Sequence, residues 1–242
     1  EGAVMKIQTD SESTRIKDII VGEVWLCGGQ SNMDFTLKSI SIEVINPKYQ
    51  PIADYIKNEM ATAADPLLRR IKVSRAHSAF GQKDNFNGSW QAVGPKSTAH
   101  FSATAYFFAR ELRRKLNIPI GIINCSWSGT RIEPWIPLQA FKSNKNLECY
   151  YEKEKLSLKR DLAQYDALTE EITFGDKMIA WEETQKKAKA DGKRVPPQPA
   201  LKIDPLDSNK IPSTLYNGMI HPLVPYALKG AIWYQGESNT QY

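Results

Sequence analysis

Apolar and polar positions alternate along the chain in two rhythms. Short apolar runs closed by small or polar residues predict strands at residues 19–27, 120–125 and 230–234, with a weaker one at 70–74. Between the first and second, Phe101, Ala105, Phe108, Leu112 and Leu116 recur at helical spacing, and Asn117-Ile118-Pro119 ends that helix and opens the next strand. Strands alternating with helices predict an α/β domain around a parallel sheet, whose ligands bind in the crevice at the carboxyl ends of the strands.

From residue 143 to 209 the rhythm changes. Lys, Glu, Asp and Ala dominate, β-branched residues thin out, and Pro-Pro-Gln-Pro occupies 196–199. This composition predicts two charged helices and an extended return, an inserted surface hairpin outside the core.

Composition narrows the function classes. The 242 residues are 41% hydrophobic, enough to build one main domain with an insertion. Basic residues exceed acidic ones by 32 to 27 and lie dispersed, as on a solvated surface, whereas a nucleic-acid binder would gather them on one face or in a tail. Cys27, Cys125 and Cys149 form no C-x-x-C pair, so neither a zinc site nor a disulfide framework is expected, and the first two read as buried thiols. No apolar run approaches the roughly 20 residues that span a bilayer, so no membrane segment is expected. The first residue is Glu1, which suggests processing or a piece of something longer.

The chemistry gathers where the three strong strands end. The first runs into Gly28-Gly29-Gln30-Ser31-Asn32, the second into Ser126-Trp127-Ser128-Gly129-Thr130-Arg131-Ile132-Glu133, and the third into Gln235-Gly236-Glu237-Ser238-Asn239. Ser31 by itself reads either as a nucleophile or as the cap of a helix. Acyl transfer needs a serine, a base and fixed donors for the oxyanion, and glycine N–H groups and an asparagine amide are suitable donors.

Four runs together carry a resemblance. Gly22-Glu23-Val24-Trp25-Leu26-Cys27-Gly28-Gly29-Gln30-Ser31-Asn32-Met33, Gly129-Thr130-Arg131-Ile132-Glu133-Pro134-Trp135, Leu215-Tyr216-Asn217-Gly218-Met219-Ile220 and Trp233-Tyr234-Gln235-Gly236-Glu237-Ser238-Asn239 resemble the sialate O-acetylesterases of the SGNH hydrolase superfamily. The resemblance covers about residues 19–239 and implies a three-layer α/β/α, flavodoxin-like fold over 19–242 with the helical insertion at 143–209.

It implies, residue by residue, that Ser31 is the nucleophile, and that Gly129 and Asn239 face the oxyanion together with the N–H of Ser31. The substrate it implies is an O-acetylated sugar, sialic acid esters foremost, with acetylxylan or another acetylated carbohydrate as the alternative; a sugar-binding module descended from an esterase is a second alternative. No metal or organic cofactor is implied.

Gln235 and Glu237 are candidates for substrate contact or for structure, and Arg131 for a sugar carboxylate or an ion pair with Glu133. Trp127 and Trp135 are candidates for stacking on a sugar or for burial.

One element of the family pattern has no counterpart here. The Asp-x-x-His pair of SGNH enzymes is absent, since His77, His100 and His221 all lack an Asp three residues before them. Residues 1–18 resemble the closing strands of a preceding β-rich domain. The expectation is therefore a chain cut at both ends, whose base lies on a missing C-terminal segment or on a second chain. His221 is the rival base, placed by its position at the far end of the third strand; His77 reads as a loop residue and His100 as helix-entry packing. Family likeness also implies a secreted or periplasmic protein, lysosomal if eukaryotic.

Overall fold

Parallel strands are buried on both faces and therefore read as continuous apolar runs. The computed structural model, which describes residues 2–42 and 47–240, places these runs in a five-stranded sheet. In chain order the strands are β1 (Ala3–Gln8), β2 (Ser13–Ile19), β3 (Glu23–Gly29), β4 (Asp65–Lys72), β5 (Trp90–Val93), β6 (Ile120–Ser126) and β7 (Gly230–Tyr234). The helices are α1 (Ser31–Asp34), α2 (Leu37–Ile42), α3 (Gln50–Thr62), α4 (Ala103–Leu116), α5 (Leu138–Ser143), α6 (Lys145–Gln164) and α7 (Ala167–Ala190).

The sheet order is β5-β4-β6-β3-β7. Strands β4, β6, β3 and β7 run parallel and β5 runs antiparallel on the edge beside β4. This is the mixed α/β architecture expected from the sequence. The register sets Gly29 opposite both Ser126 and Tyr234, so the carboxyl ends of three adjacent strands are level.

Two expected strands have other boundaries. The apolar run at 19–27 divides, because Ile19 closes β2 and β3 begins only at Glu23. The weak strand at 70–74 is the longer β4, ending at Lys72 with Val73 still donating to the Asn124 carbonyl at 3.0 Å. The helix packs as its periodicity predicts, with Phe108 edge-on to Trp25 at 5.1 Å, but Leu116 in its last turn is exposed. Ser102 caps this helix by accepting from Ala105 N–H, and Asn117 closes it in the left-handed conformation.

The core gathers Cys27, Met33, Leu37, Ile56, Leu68, Phe101, Tyr106, Ile120 and Ile122. β1 and β2 pair only with each other and expose Val4, Met5, Ile7 and Ile16.

Compactness divides the chain into two units. One holds residues 1–76, 82–132 and 218–242, and with them the whole five-stranded sheet; the other holds 77–81 and 133–217. In the second, α6 and α7 are the two charged helices expected, with no fully buried residue in either. The extended return runs back along α7, where Trp181 Nε1 donates to the Pro196 carbonyl at 2.9 Å and Lys202 pairs with Glu170 at 3.1 Å.

Candidate active site

Ser31 is the first residue of α1, directly after β3. The cap position belongs to Gln30, which makes no side-chain cap bond, and the Ser31 hydroxyl has no hydrogen-bond partner among the described residues. Its half-buried side chain is therefore not engaged in capping the helix.

The backbone around it is shaped by glycine. Gly29 has φ +136°, and a Cβ there would lie 2.0 Å from the Tyr234 carbonyl oxygen, so no side chain fits while β7 stays paired. That pairing continues past the strand end, with Gln30 N–H donating to Tyr234 O at 3.0 Å and Trp127 N–H to Gly29 O at 3.0 Å. The chain leaving β6 turns at Gly129, whose φ of +77° favours glycine although the space beside it is open. Thr130 Oγ1 closes the turn onto the Trp127 carbonyl at 2.7 Å.

Residues after β7 fasten these loops together. Asn239 Oδ1 accepts from Ile132 N–H at 3.0 Å, and Gln235 Nε2 donates to the Thr130 carbonyl at 2.6 Å and to Gln30 Oε1 at 3.3 Å. Glu237 takes Gln30 Nε2 on one carboxylate oxygen and Asn32 Nδ2 on the other, so it grips the residues on either side of Ser31. Its own backbone N–H, with the Gln30 and Asn32 amides, holds the Glu237 carboxyl below the usual value for glutamate. Ser31, Gly129 and Asn239 thus stand on three loops joined by hydrogen bonds, with Arg131 half-buried between the two residues that bind Gln235 and Asn239.

A second cluster was not singled out from the sequence. Asp34, one turn after Ser31, accepts from Lys72 Nζ at 2.5 Å and Ser126 Oγ at 2.9 Å on Oδ1. Its Oδ2 accepts from Arg75 Nη2 at 2.7 Å, Ser128 Oγ at 2.9 Å and Ser128 N–H at 3.3 Å. Burial works to raise the Asp34 pKa, but the Lys72 charge and the hydrogen bonds from Lys72, Arg75 and Ser126 override it and hold the carboxyl well below its ordinary range. Burial pulls Lys72 below the usual lysine value against the attraction of Asp34. The available sequence signal was spacing: residues three apart on a helix share a face.

The three histidines sit in turns or loops. His221, in the turn His221–Leu223, bonds the Lys83 carbonyl through Nδ1 at 3.1 Å, and His100 is an exposed residue ending the turn Thr98–His100. His77 belongs to the second unit, where Nε2 pairs with Asp207 Oδ1 at 2.6 Å, a partner 130 residues away. Of the tryptophans, Trp127 lies beneath the Arg75 guanidinium, whereas Trp135 is buried in the second unit.

With this geometry in place, the likeness to known proteins is informative. The family profile described as "Carbohydrate esterase, sialic acid-specific acetylesterase" matches residues 21–160, which include β3, α1, β4, β6 and the Gly129 turn. The chain belongs to this family. Sialate O-acetylesterase of Rattus norvegicus is 29% identical over 99% of this chain, and that of Homo sapiens is 29% identical over 94%. The crystal structure of a carbohydrate acetylesterase from Xanthomonas citri superposes with a TM-score of 0.62 at 29% identity over 98% of this chain. The chain spans 39%, 33% and 37% of the lengths of these three relatives, respectively.

Proposed function

We propose that this esterase-family chain forms the nucleophile and oxyanion side of an enzyme that removes O-acetyl groups from sialic acids. Ser31 Oγ attacks the acetyl carbonyl carbon and loses its proton to a base; the N–H groups of Ser31 and Gly129 and the Asn239 amide receive the oxyanion. Collapse expels the sugar oxygen, which takes up the proton, and leaves acetyl-Ser31. Water then attacks the acetyl carbon and releases acetate, freeing the serine.

What supports the reading is that hydrogen bonds join the three loops bearing Ser31, Gly129 and Asn239, while the Ser31 hydroxyl caps nothing. The base in this proposal is an Asp-x-x-His pair supplied from outside these 242 residues, by further chain or by a second chain, and export follows from the exposed glycans that such an enzyme would process.

An active-site organophosphate, diisopropyl fluorophosphate, tests the nucleophile in the full-length protein: peptide mapping is expected to place the adduct on Ser31, and an adduct elsewhere contradicts the assignment. Acetate release is expected to be faster from O-acetylated sialic acid than from acetylated xylan, and the reverse order would redirect the substrate class.

A further inference from the structure

The Asp34 cluster contains more positive charge than its carboxylate consumes. Lys72 directs its ammonium to Asp34 Oδ1, Ser126 Oγ and the Ser126 carbonyl at 2.5, 2.8 and 3.3 Å, which engages all three N–H groups. Arg75 gives a single Nη2 hydrogen bond to Asp34 Oδ2 and has no other hydrogen bond among the described residues. Two cations face one carboxylate, so one positive charge is left over, and it resides on the more accessible partner: the Arg75 side chain is 50% exposed against 30% for Lys72.

Position makes that charge relevant to the reaction. Asp34 shares a helix face with Ser31, and Asp34 Oδ2 is shared between Arg75 and Ser128, the neighbour of Gly129. The guanidinium is held at 5.5 Å from the centroid of the Trp127 ring, which restricts its orientation. Glu237, the acidic group beside Ser31, follows β7 and so lies on the other side of β3 from the strand ends that carry Lys72 and Ser126. A planar fork with unengaged donors and a net positive surround is the arrangement that binds a second carboxylate in bidentate fashion.

We propose that Arg75 binds the carboxylate of the substrate and selects O-acetylated acidic sugars over neutral ones. This rests on the esterase reading above and assigns to Arg75 the recognition for which Arg131 was the sequence candidate.

The test compares an O-acetylated sialic acid with its methyl ester, in which the carboxylate is neutralised, using full-length wild type, Arg75→Gln and Arg75→Lys. Arg75→Gln is expected to reduce the ratio of kcat/KM for acid over ester by about 10- to 100-fold, mainly through KM, with Arg75→Lys intermediate. An unchanged ratio overturns the proposal, whether both substrates slow equally or neither does. Calorimetric binding of the free acid and its methyl ester to Ser31→Ala, with and without Arg75→Gln, gives a readout independent of turnover. If wild type hydrolyses neither substrate, the esterase reading fails, while an acid preference lost with Arg75→Gln still upholds the carboxylate site.

Discussion

Gly129 separates backbone conformation from packing. A Cβ there would touch nothing within 4 Å, yet the residue holds φ +77°, so the cost of Gly129→Ala is strain, about 1–2 kcal/mol of unfolding free energy. In the proposed mechanism, relief of that strain would turn the Gly129 N–H away from the oxyanion. Gly129→Ala is therefore expected to lower kcat by about 10²–10³-fold with little change in KM, and an unaltered kcat would remove this N–H from the mechanism. Serine, glycine and asparagine at the strand ends stood out as candidates because their chemistry is intrinsic to each residue, while their proposed roles came from the family resemblance. The roles of Gln235 and Glu237 were not legible, since their tethering bonds to Gln30 and Asn32 span more than 200 residues.

At the scale of elements, α1 is a four-residue helix, too short to hold itself, and Met33 in the core and the Asp34 network anchor it. Asp34→Asn keeps the shape and removes the charge that Lys72 and Arg75 face, at an expected cost of about 1–3 kcal/mol near neutral pH. Because the folded-state pKa of Asp34 is depressed, its contribution is complete above the unfolded value of about 3.9 and fades as pH falls below it. Urea titrations of wild type and Asp34→Asn should accordingly draw together progressively as pH falls below about 4; a stability gap independent of pH would contradict the charge argument.

The four parallel strands were readable as apolar runs, α4 from its periodicity and the two charged helices from composition. Strand β5 has four residues with only Val93 buried, and α3 buries only Ala53 and Ile56, so neither presents a strong pattern. The Asp34 cluster depends on sheet order, which sets β4 beside β6 and brings Lys72 to an aspartate 38 residues away; local spacing does not encode that neighbour.

On the scale of the whole molecule, burial sorts the cysteines between the two units. Cys27 and Cys125 are buried in the sheet and their thiols are pushed up to about 12, while Cys149 is exposed on α6. Iodoacetamide at pH 8 is expected to modify only Cys149 in the folded protein and all three after unfolding, as counted by intact mass; rapid modification of Cys27 would contradict the burial of β3.

The chain covers less than two fifths of each named relative, so its activity is best measured in the full-length protein. The decisive quantity is the rate of acetate release from O-acetylated sialic acid by wild type and by Ser31→Ala, with unfolding curves recorded for both. The account predicts a loss of at least about 10⁴-fold in the folded Ser31→Ala protein; release at the wild-type rate would contradict it.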